Sequence, residues 1–190
     1  MSRQWPCRFI WNPTNLGAAY PFGGQKIGYT DSGFDFYPDL VFHTTRSDED
    51  GGPGVIARMF LGADEPRIEV GLSDWNAVAI ARSLPGMGTG TRAEYPGDRQ
   101  DGDYLDGTDA GALLVVAMQQ DDPDTPDTSK EWIYGRFVIP IIPEETPIRF
   151  GAREDAVQRV TFYLQNKSDF ATRKGSGWVI DLPANINLNP

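Results

Sequence analysis

The chain has 190 residues, 39% of them hydrophobic, enough for one folded domain with a real core. Lys and Arg number 17 against 27 Asp and Glu, a formal charge of −10 that disfavours gripping nucleic acid or an anionic membrane surface, since both need clustered cations. A single cysteine, Cys7, excludes an intrachain disulfide and a cysteine-based structural zinc site, and a single histidine, His43, leaves little for a Ser-His-Asp or His-rich metal centre.

Glycine (21) and proline (15) punctuate short runs of β-branched and aromatic residues, which argues for an all-β chain. Residues 1–24 read as an N-terminal arm: Trp5, Trp11, Tyr20 and Phe22 alternate with Pro6, Pro13, Gly17 and Pro21, with no strand or helix period. Such an arm packs either on its own domain or on a neighbouring copy; an exposed one with this many aromatics is an association liability. It carries no apolar leader core, and the longest clean apolar run, Ala112–Met118, is far short of the ~20 residues that cross a bilayer. No membrane anchor is expected. The chain reads as a soluble intracellular product, or one assembled inside a cell and exported by other means.

Strand signals begin near Gly28 and continue through Phe34 and Phe36. Leu40–Thr45 and Val55–Leu61 form a hairpin around a long polar tip, Arg46–Gly54, longer than the common ~2–5-residue connection. Ala63-Asp64-Glu65-Pro66 reads as a second return, leading into the strand Arg67–Leu72. Ser73 then fits a helix N-cap, with Asp74 at the positive end of the dipole. The helix runs to Leu84, stops at Pro85-Gly86, and is apolar on two stripes, so it needs cover on two sides. Ala112–Gln119 is a fully apolar strand. Trp132–Ile139 is another, broken at Pro140 and Pro143. Thr146–Phe150, Val157–Gln165 and Trp178–Leu182 complete the set, and Pro183–Pro190 forms an uncharged tail. The expected organisation is an arm (1–24), one β-sandwich or barrel domain with a single helix (25–182) and a tail (183–190).

The acidity is local. Asp98–Glu131 holds ten acidic and two basic residues, whereas Glu145–Lys174 holds four acidic and six basic. The two loops concerned contain Asp101, Asp103, Asp106 and Asp109, then Asp121, Asp122 and Asp124. Solvated loops explain such a band, and so does steering between copies or the lining of a passage.

Catalytic signatures are absent. Gly86-Met87-Gly88-Thr89-Gly90-Thr91 follows a helix rather than a strand and lacks the Gly-Lys-Ser/Thr of a phosphate loop. Asp101–Asp109 is the best calcium candidate, but Leu105 occupies the place of the third EF-hand ligand and no bidentate Glu follows. Glu69 and Glu131 sit at or beside strands without anything marking them as a glycosidase pair. His43 reads as a packed or surface strand residue and Cys7 as a small apolar one. Trp5, Trp11, Trp132 and Trp178 form a sugar platform only if exposed, and are core otherwise. No enzyme activity, cofactor or metal is expected.

The order of elements is nevertheless distinctive. Gly28-Tyr29-Thr30-Asp31-Ser32-Gly33 opens a strand, the 40–45 and 55–61 strands flank a long loop, and Arg67–Leu72 leads into the helix 73–84. Ile139-Pro140 and Ile148-Arg149-Phe150-Gly151 precede the long strand Val157–Leu164. Over roughly residues 25–182 this order resembles the tail tube proteins of long-tailed, non-contractile bacteriophages, a family that shares its fold with contractile-tail tubes and the type VI secretion tube. The resemblance implies a virion structural protein, made in the host cytoplasm, whose β-sandwich closes with other copies into hexameric rings. The rings stack into a tube that conducts DNA into the host without binding it specifically. It implies terminator, tape-measure and tip proteins as partners. It also implies that the loop containing Arg46, Asp48, Glu49 and Asp50 reaches an adjacent ring, and that a helix bearing Trp75, Ile80 and Leu84 braces a subunit junction. The acidic loops depart from the minimal family pattern and face either the lumen or the outside. Two alternatives stay open: another virion β-protein, such as a decoration or tail-terminator component, and a calcium- or carbohydrate-binding β-sandwich module.

Overall fold

A computed structural model of the chain describes residues 6–30, 33–47, 54–63, 65–73, 111–141, 157–164 and 178–188. Their regular structure is antiparallel β throughout, apart from one 3-10 turn at Pro183–Asn185. The strands are β1 (Cys7–Trp11), β2 (Gln25–Thr30), β3 (Phe34–Tyr37), β4 (Leu40–Ser47), β5 (Gly54–Ala63), β6 (Arg67–Leu72), β7 (Gly111–Ala117), β8 (Trp132–Ile141), β9 (Gln158–Leu164) and β10 (Trp178–Asp181).

The main sheet runs in the order β2-β1-β7-β8-β9-β6-β3, with β10 on β8. It does not end in two free edges. Just beyond β6, Ser73 and Tyr29 of β2 exchange both backbone hydrogen bonds, at 2.8 and 3.1 Å, so the end of β6, past its pairing with β3, meets the first strand. The sheet thereby wraps into a barrel, in which β2 and the end of β6 cover each other's edges. Gly28 eases the closure: a Cβ there would lie 3.0 Å from Leu72 Cβ and 3.2 Å from the Ser73 carbonyl oxygen, tighter than most side-chain contacts, so the bare backbone lets β2 approach β6 without either giving way.

Alternation along the strands builds two cores. Phe9, Ile27, Ile68, Val70, Leu72, Leu113, Val115, Val138, Val160, Phe162, Leu164 and Trp178 point inward and fill the barrel, with Phe9 stacked on Phe162 at 5.7 Å. Ile10, Leu114, Val116, Trp132 and Tyr134 point outward, yet they are also buried, because Phe22 and Ile186 cover them with Leu16, Tyr20 and Leu188 alongside. Both chain ends therefore fold back on the same outer face. That explains why β7 is apolar at every position, as a strand buried on both faces must be.

Three expectations are corrected here. Residues 7–11 are not irregular arm but β1, paired with β2 on one side and β7 on the other. Both faces of β1 are covered, so it lacks the alternation that announces a half-buried strand. Pro140 does not break the strand: β8 continues through it, opposite Phe162 of β9. The last β7 rung is Gly111↔Val138, so among the described elements only β9 flanks β8 at Pro140, and an edge position tolerates a missing N–H.

The third correction concerns residues 63–66, which are not a return. Tyr37 pairs with Arg67, and Leu40 pairs with Ala63, so the β3–β6 ladder and the β4–β5 ladder are two stretches of one ribbon. The chain kinks at Glu65-Pro66 and carries on in the same direction. A proline interrupts a ladder and also suits a turn, and only the partner strand distinguishes the two.

The expected helix from Ser73 to Leu84 lies outside the described residues beyond Ser73, which bridges Tyr29, and so does the expected Thr146–Phe150 strand.

Candidate assembly surfaces

The ribbon is the most distinctive surface feature. Its proximal half, β3 and β6, is part of the barrel, with β6 held between β3 and β9. Its distal half, β4 and β5, forms a separate two-stranded sheet that, among the described elements, pairs only with itself. Arg46 lies on that half opposite Val55, and His43 lies opposite Met59. Asp48, Glu49 and Asp50 of the expected inter-ring loop lie outside the described residues. Where the ribbon leaves the barrel, Leu40, Val41 and Phe42 are exposed, Phe42 by 51%. Consecutive strand residues face opposite sides, so the two faces of the ribbon both present apolar surface there.

A second exposed apolar group sits on β10. Val179 and Ile180, paired with Tyr134 and Ile133 of β8, are open to solvent, Ile180 by 54%, and Leu182 follows them. Among the described elements β10 pairs only with β8.

The acidic loop after β7 is organised by its own carboxylates. Asp122 accepts from the Thr125 hydroxyl at 2.5 Å and from the Asp124 N–H at 3.1 Å, and these bonds hold its carboxyl below the usual aspartate range. Asp127 accepts from the Ser129 hydroxyl (2.6 Å) and N–H (3.0 Å), with the same lowering effect. The Trp132 indole N–H closes the loop onto the Asp127 carbonyl at 3.1 Å. Arg8 ties the loop to the barrel: its guanidinium lies 4.2 Å from the centre of the Tyr29 ring, its Nε donates to the Pro123 carbonyl at 3.3 Å, and it reaches Asp124 at 3.8 Å. These carboxylates are spent on turns and a clamp, and do not converge on a ligand.

Of the sequence-derived candidates, the described structure brings together only Asp122 and Asp124, with Asp121 beside them. Asp101, Asp103, Asp106 and Asp109 lie outside the described residues, as do Trp75, Ile80 and Leu84. Glu69 on β6 accepts from Arg67 Nε at 2.8 Å, and β9 separates its strand from β8, which Glu131 precedes. Among the described residues no group of three or more His, Cys, Asp or Glu is placed to hold a metal ion. Trp132 and Trp178 are buried, so neither forms part of a sugar platform. Sequence reasoning missed Arg8 as the loop's clamp and Asp39 as a backbone partner of the ribbon. Both are single charges, Arg8 on the segment read as arm and Asp39 between two strand signals, with no pattern to mark them.

No family model and no curated protein matches the sequence. Among solved structures, the chain is similar to the tube-terminating cap of the anti-feeding prophage, with a TM-score of 0.44 and 12% identity over 96% of this chain and 90% of that one. It is also similar to a chain of the 6-fold symmetrised baseplate of the same particle, with a TM-score of 0.36 and 12% identity over 87% and 89% of the two chains.

Proposed function

We propose that this chain is a virion structural protein that assembles with its own copies into the stacked hexameric rings of a phage tail tube. The observation that carries this reading is the β4–β5 ribbon, which among the described elements pairs only with itself and exposes Leu40, Val41 and Phe42. An isolated two-stranded ribbon is at best marginally stable in water, and exposed apolar residues grouped on one element mark an interaction site. A neighbouring copy supplies the missing cover, and the ribbon's polar tip, with Arg46, Asp48, Glu49 and Asp50, reaches the next ring. The element order noted in the sequence supports the same reading. In it, the Trp75, Ile80 and Leu84 segment braces the junction between subunits, and terminator, tape-measure and tip proteins are the other partners. The protein performs no catalysis and needs no cofactor.

A conduit for DNA should repel phosphate rather than bind it, and a chain of net charge −10 does so. The Asp101–Asp109 and Asp121–Asp124 loops are assigned to the lumen on that argument.

Negative-stain electron microscopy with light scattering over a concentration series tests the proposal. The expected result is six-fold rings or hollow tubes. Leu40→Ser combined with Phe42→Ser should abolish them while leaving the far-UV spectrum unchanged, since both side chains are exposed. A closed single ring or trimer that never stacks favours a terminator or decoration role. A monomer at every concentration and salt, stabilised by calcium or an oligosaccharide, favours a binding module and overturns the tube reading.

A further inference from the structure

The ladder along the ribbon is interrupted once. Tyr37↔Arg67 is the last rung of the barrel half and Leu40↔Ala63 the first rung of the distal half. Between these rungs lie Pro38-Asp39 on one strand and residues 64–66 on the other, of which Glu65 and Pro66 are described. The prolines have no N–H to give, so the ladder is weakened at this point on both chains.

What spans the gap is a side chain. Asp39 sits at φ +43°, in the left-handed region that aspartate tolerates better than most residues, and its Oδ2 accepts from the Glu65 N–H at 3.0 Å. The barrel side of the gap is fixed. The Pro66 carbonyl accepts from Leu164 N–H of β9 at 2.9 Å, Arg67 lies 4.5 Å over the Tyr37 ring, and its Nε bonds Glu69 at 2.8 Å. The distal side is bonded within its own two strands.

We propose that Pro38-Asp39 and Glu65-Pro66 form a hinge in the ribbon, and that the Asp39 carboxylate is the latch that sets the angle at which β4 and β5 leave the barrel. Hinges are few, lie at element ends and absorb backbone rotation, and this gap lies at the ends of four strands. The latch is a charge-assisted bond to a backbone N–H. The angle governs what Leu40, Val41 and Phe42 can meet. The hinge stands whether or not the ribbon docks on another copy; only its use in assembly rests on the function proposed above.

The test is a distance distribution by pulsed electron spin resonance. Labels go at His43→Cys on the ribbon and Arg159→Cys on β9, both exposed positions, in a Cys7→Ala background diluted with unlabelled protein. The full chain with Asp39 intact should give one narrow distribution. Asp39→Asn keeps an acceptor oxygen and tolerates the left-handed backbone, so it should stay narrow. Asp39→Gly keeps the backbone relaxed but removes the acceptor, and should broaden the distribution about twofold. Two results overturn the latch: a glycine variant as narrow as the parent, or a parent as broad as the glycine variant; an asparagine variant as broad as glycine supports the carboxylate latch and shows that its charge is needed. The measurement is made on dispersed protein, so failure to form tubes leaves its outcome intact.

Discussion

Cys7 opposes Thr30 and Ala117 across its two neighbouring strands, packed against the inner core, and burial pushes its thiol up to about 11. The neutral thiol is the form the fold favours, whereas the unfolded chain releases that proton near the ordinary value of about 8.5. The contribution to stability is therefore fully present below that value and is lost as pH rises through about 11. The same shift suppresses the thiolate. At pH 8.5, alkylation of native protein should run roughly a hundredfold slower than alkylation in denaturant, as followed by mass spectrometry. Equal rates would mean that the barrel does not bury this end of β1. Arg8, next along the chain, faces the acidic loop rather than the core. Its contact with Asp124 joins residues more than a hundred positions apart, which no local pattern could announce.

Among the elements, β6 and β7 were readable because burial wrote itself into the residues. β6 alternates with Ile68, Val70 and Leu72 inward, and β7 is apolar throughout since both its faces are covered. β1 and the continuity of the ribbon past Ala63 were not readable, although its distal hairpin was, because covered faces erase alternation and because Glu65-Pro66 looks the same inside a ribbon as in a turn. Gly135 on β8 makes an element-scale test. The Trp178 ring of β10 lies across its backbone, on the spot where a Cβ would stand. Gly135→Ala should displace that ring, weaken the β8–β10 pairing and cost about 1–3 kcal/mol in urea denaturation. An unchanged midpoint would show that β10 contributes little to the barrel.

For the whole molecule, the notable feature is that both chain ends cover one outer face. Ile186 is buried against Ile10, Leu114, Val116 and Trp132, and the Tyr134 hydroxyl donates to the Leu188 carbonyl at 3.3 Å. The tail is thus a structural cover for the outer layer of the fold. Ile186→Ala should cost about 2–5 kcal/mol in denaturant unfolding, the range for truncating a buried isoleucine. A cost below about 0.5 kcal/mol, the level of an ordinary surface change, would show the tail to be only loosely seated.

The sequence by itself determined the class. Short β-branched runs between glycines and prolines can form little but antiparallel strands. It also determined most strand positions, since burial and strand period are local properties of side chains. The tertiary structure alone decided that Tyr29 and Ser73 close the sheet, that residues 7–11 lie inside it, and that 63–66 bend a ribbon rather than end one. Each of these depends on which backbone groups find each other across long stretches of chain, and every residue but proline offers the same N–H and C=O.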